Sequence, residues 1–237
     1  MAYLKPDKTI SAKIGNEKIT IKQKITPDGV RATKDICSYV KKGDLVKPNA
    51  KISGNGKPKG ITIHNTDVIK TAAATNPAEQ YARATYPNGN MAGVAVHYWV
   101  YKSEIWQQLD DTERGWHATD GTSIRNSQRP GEKIGGNLNT IAIEIIESGK
   151  DEETENTAAL LVAYLLAKHG LNPSTDIYTH NYFYKGKKCP LYIIDRWPQF
   201  KALCTAKYNA IKKTADTNLK GELQDIVDRL TAIIKGL

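Results

Sequence analysis

Apolar and polar residues alternate from residue 9 to 26: Ile10, Ala12 and Ile14, then Ile19, Ile21 and Ile25, share one face while lysines fill much of the other. A period of two belongs to a half-buried strand. Gly15-Asn16 between the two runs therefore predicts a hairpin, or strands added to the edge of a larger sheet. Pro27-Asp28-Gly29 ends this unit, Ala32 to Lys42 is a candidate short helix closed by Gly43, and Ser53 to Gly60 is a Gly/Pro/Lys connector. The next apolar run, Gly60 to Thr66, is β-branched and predicts a buried strand that ends in a histidine. Asn76-Pro77 marks a helix start, since asparagine caps orphan amides and proline suits the first turn; Pro87-Asn88-Gly89 marks its stop. Ala92 to Tyr101 alternates again, with Val94, Val96, Tyr98 and Val100 on one face, and Glu104 to Leu109 is its hairpin partner.

Residues 121 to 140 are rich in Gly, Asn, Ser, Arg and Pro and lack apolar periodicity, which predicts a long loop bordering a groove. Thr140 to Ile146 is a buried strand. Acidic Asp151 to Glu155 precede a striped helix from about Thr157 to His169, stopped by Gly170, with charges of the sign a helix dipole favours at each end. A last core helix is expected from Asp195 to Cys204. After a polar stretch at 212 to 218, Leu219, Leu223, Ile226, Leu230, Ile233 and Leu237 recur at spacings of 4, 3, 4, 3 and 4, a heptad stripe. Such a helix docks on the preceding domain, pairs with a second copy, or leads to a further module.

Three features of this pattern carry chemistry. Thr179 to Pro190 places His180 and Cys189 on one loop, with Lys187 two residues before the thiol: borderline-soft ligands for zinc, plus a cation for developing negative charge. A catalytic zinc takes three protein ligands and leaves a position for water, so the loop needs a partner. His64, at the end of its strand, is placed to supply it. Glu144 is the one carboxylate in an otherwise apolar run, and burying it is costly unless it meets a cation or moves a proton.

Composition narrows the class. With 34 Lys+Arg against 25 Asp+Glu, the net charge of +9 favours an anionic partner. The basic residues are scattered and show no helix-turn-helix or zinc-finger spacing, which speaks against nucleic acid, although a His/Cys-metal nuclease remains a minor alternative testable by DNA retention. No apolar run approaches the ~20 residues of a membrane helix. Residues 1 to 25 lack the continuous apolar core of a secretory signal, so a cytoplasmic protein released by lysis, or export by a non-signal route, is expected. Cys37, Cys189 and Cys204 are too widely spaced for an evident disulfide framework.

Five blocks, Ile61 to Thr66 (ITIHNT), Val96 to Val100 (VHYWV), Gly115 to Asp120 (GWHATD), Ile141 to Ile145 (IAIEI) and His180 to Pro190 (HNYFYKGKKCP), occur in an order that resembles the type 2 zinc-dependent N-acetylmuramoyl-L-alanine amidases. These include phage endolysins and bacterial autolysins, and are related to peptidoglycan recognition proteins. The resemblance spans residues 58 to 204. It implies an α/β fold, a mixed central β-sheet flanked by helices, here with an N-terminal β extension and a C-terminal helix. It further implies that His64, His180 and Cys189 bind Zn2+, that Glu144 is the catalytic carboxylate and Lys187 the oxyanion cation, and that Trp116, His117 and Asn139 border the substrate groove. The expected division is residues 1–57 as an extension packed on the core, 58–211 as the catalytic domain and 212–237 as an amphipathic helix with the capacity to form a homo-oligomer. The implied reaction cleaves the amide between N-acetylmuramic acid and L-alanine in the anionic cell wall, without nucleic acid or membrane insertion. The alternative is a peptidoglycan-binding module that does not cut.

Overall fold

A computed structural model describes residues 3–14, 16–38, 40–67, 76–86, 94–119 and 122–235. Its centre is a seven-stranded mixed sheet. β1 (Lys8–Ile14) and β2 (Glu17–Gln23) pair antiparallel, with Ile10 opposite Ile21. β2 runs parallel to β5 (Glu104–Gln107), and β5 antiparallel to β4 (Tyr98–Tyr101). From β4 the sheet continues parallel through β8 (Thr140–Ile146) and β3 (Gly60–Thr66) to β9 (Ile177–Thr179) at the far edge.

Alternation along β3 and β8 divides the sheet's two faces. Ile61, Ile63, Ile141, Ile143 and Ile145 are buried with Leu161, Leu165, Phe200 and Cys204 of α3 (Glu152–His169) and α5 (Trp197–Lys235). Ala142 and Ile146 pack on the opposite face with Trp99, Trp106 and α1 (Pro77–Thr85). The period of two then puts Thr62, His64 and Glu144 on the face of Ala142. His64 and Glu144 stand directly opposite each other in the parallel register, so a polar site opens on a face whose reverse is the main apolar core.

The helix ends follow from local chemistry. Asn76 accepts from the Glu79 amide and Pro77 opens the first turn of α1. α3 begins at Glu152, five residues before the expected Thr157, because Asp151 accepts from the Thr154 amide and the acidic residues form the first turn rather than preceding it. Gly170, at φ 65°, takes the left-handed conformation that ends the helix.

Several expectations are corrected. The described residues of 32–42 are not helical: Ala32 N donates to Asp44 O and Gly43 N donates to Ala32 O across a fold-back loop, while Ala32, Val40 and Val46 bury one another. β4 starts only at Tyr98, and the expected single face breaks there, because Val96 packs on the α1 side while Tyr98 and Val100 join the α3 side. The stop at 87–89 and the start of that strand at Ala92 lie outside the described residues. Residues 121–140 hold a two-stranded ribbon, β6 (Ile124–Arg125) with β7 (Lys133–Ile134), and a one-turn helix α2 (Gly136–Asn139). The last helix and the heptad segment are one 39-residue helix, α5, so the boundary expected at 212 falls inside a continuous element; the polar stretch contains no proline to break it. No helix among the described residues is long and apolar enough to cross a membrane.

The N-terminal segment is tied to this sheet by more than β2. Ile52 N donates to Thr112 O, Arg114 N to Ala50 O, and Lys47, only 2% exposed, pairs with Glu113 and with Asp28.

Candidate metal centre and active site

Two strand ends and one returning loop build the site. His64 lies near the end of β3, and β9 ends at Thr179, whose hydroxyl accepts from Tyr182 N at 3.0 Å and caps the single turn α4 (His180–Phe183). That cap turns the chain at His180. Asn181 then closes the loop, donating its backbone amide to Cys189 O (2.8 Å) and its side chain to Lys187 O (2.9 Å). Beyond Cys189, Tyr192 N donates to Asn65 Oδ1 at 3.0 Å, which ties the returning chain to the end of β3.

The ligand atoms of His64, His180 and Cys189 consequently lie within 4.8 Å of one another. Cys189 Sγ and Glu144 Oε1 each stand 3.9 Å from His64 Nδ1. Among the described residues, His180 Nδ1 and Glu144 Oε2 are buried without a hydrogen-bond partner. Orphaned buried polar atoms are rare in folded proteins and mark a place for an ion, water or substrate. Two imidazoles and a thiol gathered this closely are the donor set zinc favours, so the residues present fit such an ion.

The electrostatics agree with that fit. Burial, with the charges of His117, His180 and Lys187, holds His64 well below the usual imidazole range. Burial and then Lys187 lower His180 to about 4. Both rings are thus neutral lone-pair donors at pH 7. Burial pushes the Cys189 thiol up to about 11, aided by Glu144 and opposed by the Asn65 amide and Lys187; a divalent cation held here would favour the thiolate instead, since its charge would outweigh these neighbours. Burial raises Glu144 to about 7, against the pull of Lys187.

Of the three loop lysines, Lys187 is the one whose charge acts on His64, His180, Cys189 and Glu144 alike. Lys188 pairs with Asp195 at 2.7 Å, and Lys185 lies 5.6 Å over the Tyr182 ring.

The residues expected along the groove have other attachments. Asn139 accepts from Gly135 N and donates to Ser53 Oγ, holding α2 to the connector before β3. Trp116 forms an isolated antiparallel bridge with Ala95. His117 is hydrogen-bonded to His64, its Nδ1 at 3.0 Å from His64 Nε2. His97 is fully buried, its Nδ1 accepting from Ala142 N and its Nε2 donating to Glu113 O. Asn65 and Asn181 escaped sequence reasoning, yet both fix the loop. The signal was present: each histidine ligand is followed directly by an asparagine, and asparagine side chains bond readily to nearby backbone.

Comparison with known proteins places this arrangement in context. The chain is 33% identical over 147 residues to the N-acetylmuramoyl-L-alanine amidase XlyA of Bacillus subtilis (strain 168), covering 61% of this chain and 43% of that protein. It spans about half the length of the curated relatives it matches. The solved catalytic domain of XlyA superposes with a TM-score of 0.55 at 29% identity, over 78% of this chain and 98% of that one. A mutant endolysin from Bacillus subtilis gives 0.56 at 30% identity, over 78% and 99%. Residues 54–191, more than half of the chain and the segment that contains His64, Glu144, His180 and Cys189, match the family model, and the chain belongs to the N-acetylmuramoyl-L-alanine amidase family.

Proposed function

We propose that the chain is a peptidoglycan hydrolase that cleaves the amide between N-acetylmuramic acid and the L-alanine of the stem peptide. One observation carries this reading: a soft three-donor cluster, His64, His180 and Cys189, beside Glu144, a carboxylate at 3.9 Å from a ligand nitrogen and with one oxygen unpartnered. His64, His180 and Cys189 would hold zinc, which when bound supplies Lewis-acid polarisation and a lowered water pKa. Glu144 takes the proton of the attacking water. Its raised pKa, about 7, lets the carboxyl hold that proton and return it to the departing amine of L-alanine. The Lys187 ammonium offsets negative charge as the carbonyl oxygen becomes an oxyanion.

The net charge of +9 suits an anionic wall, and the resemblance to an endolysin supports action as a lysis enzyme that meets the wall when the cell membrane is breached. We also infer that the heptad stripe of α5, of which Leu223 and Ile226 are exposed, pairs with a second copy of the chain.

The test of the reaction incubates the protein with purified Gram-positive peptidoglycan, zinc-loaded and after chelation, and identifies new ends by mass spectrometry. Stem peptides with free L-alanine termini are expected, abolished by chelation and reduced about 10²- to 10⁴-fold by Glu144→Ala, the usual loss on removing a general base. Binding to the wall with no such ends under any metal condition would favour a non-cutting binding module.

A further inference from the structure

His117 stands behind His64 with both ring nitrogens engaged. Nδ1 is 3.0 Å from His64 Nε2, and Nε2 is 3.3 Å from Thr140 O. A carbonyl oxygen only accepts, so the proton of a neutral His117 ring belongs on Nε2. Nδ1 is then a bare acceptor, and His64 must donate to it from its own Nε2. That leaves the lone pair of His64 on Nδ1, the atom that faces Cys189 Sγ and Glu144 Oε1 at 3.9 Å each.

The surroundings hold the ring in this orientation. Asn137 Oδ1 accepts from the backbone amides of His117 (2.6 Å) and Ala118 (2.7 Å), fixing the segment that carries it. The ring makes edge contacts with His64 at 5.2 Å and with His97 at 6.2 Å. His97 is itself locked between Glu113 O and Ala142 N. Gly115 permits this crowding, because a Cβ there would stand 2.6 Å from Ala95 O and 2.8 Å from His117 Cδ2. Neither nitrogen of His117 is left over for substrate.

We propose that His117 is a positioning residue for the metal ligand His64: donating to Thr140 O and accepting from His64 Nε2, it fixes the tautomer that presents His64 Nδ1 to the cation. This rests on the reading of His64, His180 and Cys189 as a metal site. Partners one bond removed from a metal fix ligand tautomer and orientation, and their loss typically weakens metal binding 10- to 100-fold. His117 therefore acts on metal affinity and reaches the reaction only through His64.

The test has two independent readouts. Apo-protein is titrated with Zn2+ against a chromophoric chelator, comparing wild type, His117→Phe and His117→Asn. Phenylalanine keeps the ring shape without an acceptor, whereas the asparagine oxygen falls near the position of Nδ1. The expected result is a loss of about 10- to 100-fold for His117→Phe and substantial rescue in His117→Asn. Separately, long-range nitrogen–proton NMR of histidine-labelled wild-type apo-protein is expected to show His64 protonated on Nε2. Equal zinc affinity in a folded His117→Phe variant, or His64 protonated on Nδ1, overturns the proposal. Should the wild type fail to bind zinc at all, the metal reading falls while the NMR result still decides the tautomer; should His117→Phe not fold, the NMR result decides alone.

Discussion

Glu147, one residue past β8, is a buried carboxyl with a titration unlike that of its neighbours. Burial first and then the charge of Glu155 raise its pKa to about 7, against hydrogen bonds from the Asp151 amide and Asn65 and the field of Arg196. In the unfolded chain it titrates near 4.5. Between pH 4.5 and 7 the folded state therefore keeps a proton that the unfolded chain has released, and stability falls as pH rises through that window. Glu147→Gln stays uncharged at every pH; its amide oxygen keeps the 2.9 Å bond from Asn65 while its NH2 gives up accepting from the Asp151 amide, so relative to wild type it is expected to gain on the order of 1 kcal/mol between pH 4.5 and pH 8. Urea unfolding at the two pH values measures this, and an unchanged difference between the two proteins would show that the carboxylate is compensated in the fold. Residues of this kind were the hardest to see in sequence. His64 and Glu144 stood out because a polar group in an apolar strand is conspicuous, and His180 with Cys189 because two ligands share a loop. Glu147 and Asn137 act on partners outside their own elements, such as Glu155 and Ala118 N, and no local pattern announces such pairs.

At the scale of elements, the period of two located β1, β2, β3 and β8, and capping residues located α1 and α3. What failed was legible only in three dimensions. Residues 32–42 carry apolar spacing compatible with a helix, but Ala32, Val40 and Val46 bury one another across a fold-back closed by Asp44. Within 121–140, β6 and β7 are two residues each, too short to produce a period. The β1–β2 hairpin tests whether the N-terminal segment is an appendage or part of the main core. Ile21 is buried with Val100, Ile105 and Ile145, whereas Ile10 is only partly buried at the rim of that cluster. If the hairpin completes the core, Ile21→Ala is expected to cost about 2–5 kcal/mol, the range for deleting a buried isoleucine side chain, and Ile10→Ala clearly less. Denaturant unfolding followed by tryptophan fluorescence reads both. A small, equal effect for the two variants would mean that the domain is stable without its hairpin.

For the whole molecule, the consequential feature is how far α5 extends. Its first half is core: Phe200 and Cys204 are buried, and Tyr208 and Ile211 pack against the cluster. Farther along, the described apolar side chains of the helix have no cover. Leu223 and Ile226 are each 52% exposed, as are, in varying degree, all the described side chains from Lys220 onward. A helix without tertiary partners and only some six turns long is marginal in water, so a sequence that keeps an apolar heptad spacing there gains most when the stripe is covered. None of the described side chains of this segment docks on the chain's own domain, and the proposal is that a second copy covers it. Sedimentation equilibrium is expected to give a concentration-dependent dimer, and Leu223→Glu with Ile226→Glu to give a monomer with reduced helical ellipticity. Amidase activity on soluble muropeptides should survive that double change, since every site residue lies before Pro190 and the sheet that holds them packs on the first turns of α5. A wild type that stays monomeric at every concentration would end the self-association reading, and a double variant that also lost activity would show that the distal helix supports the catalytic domain.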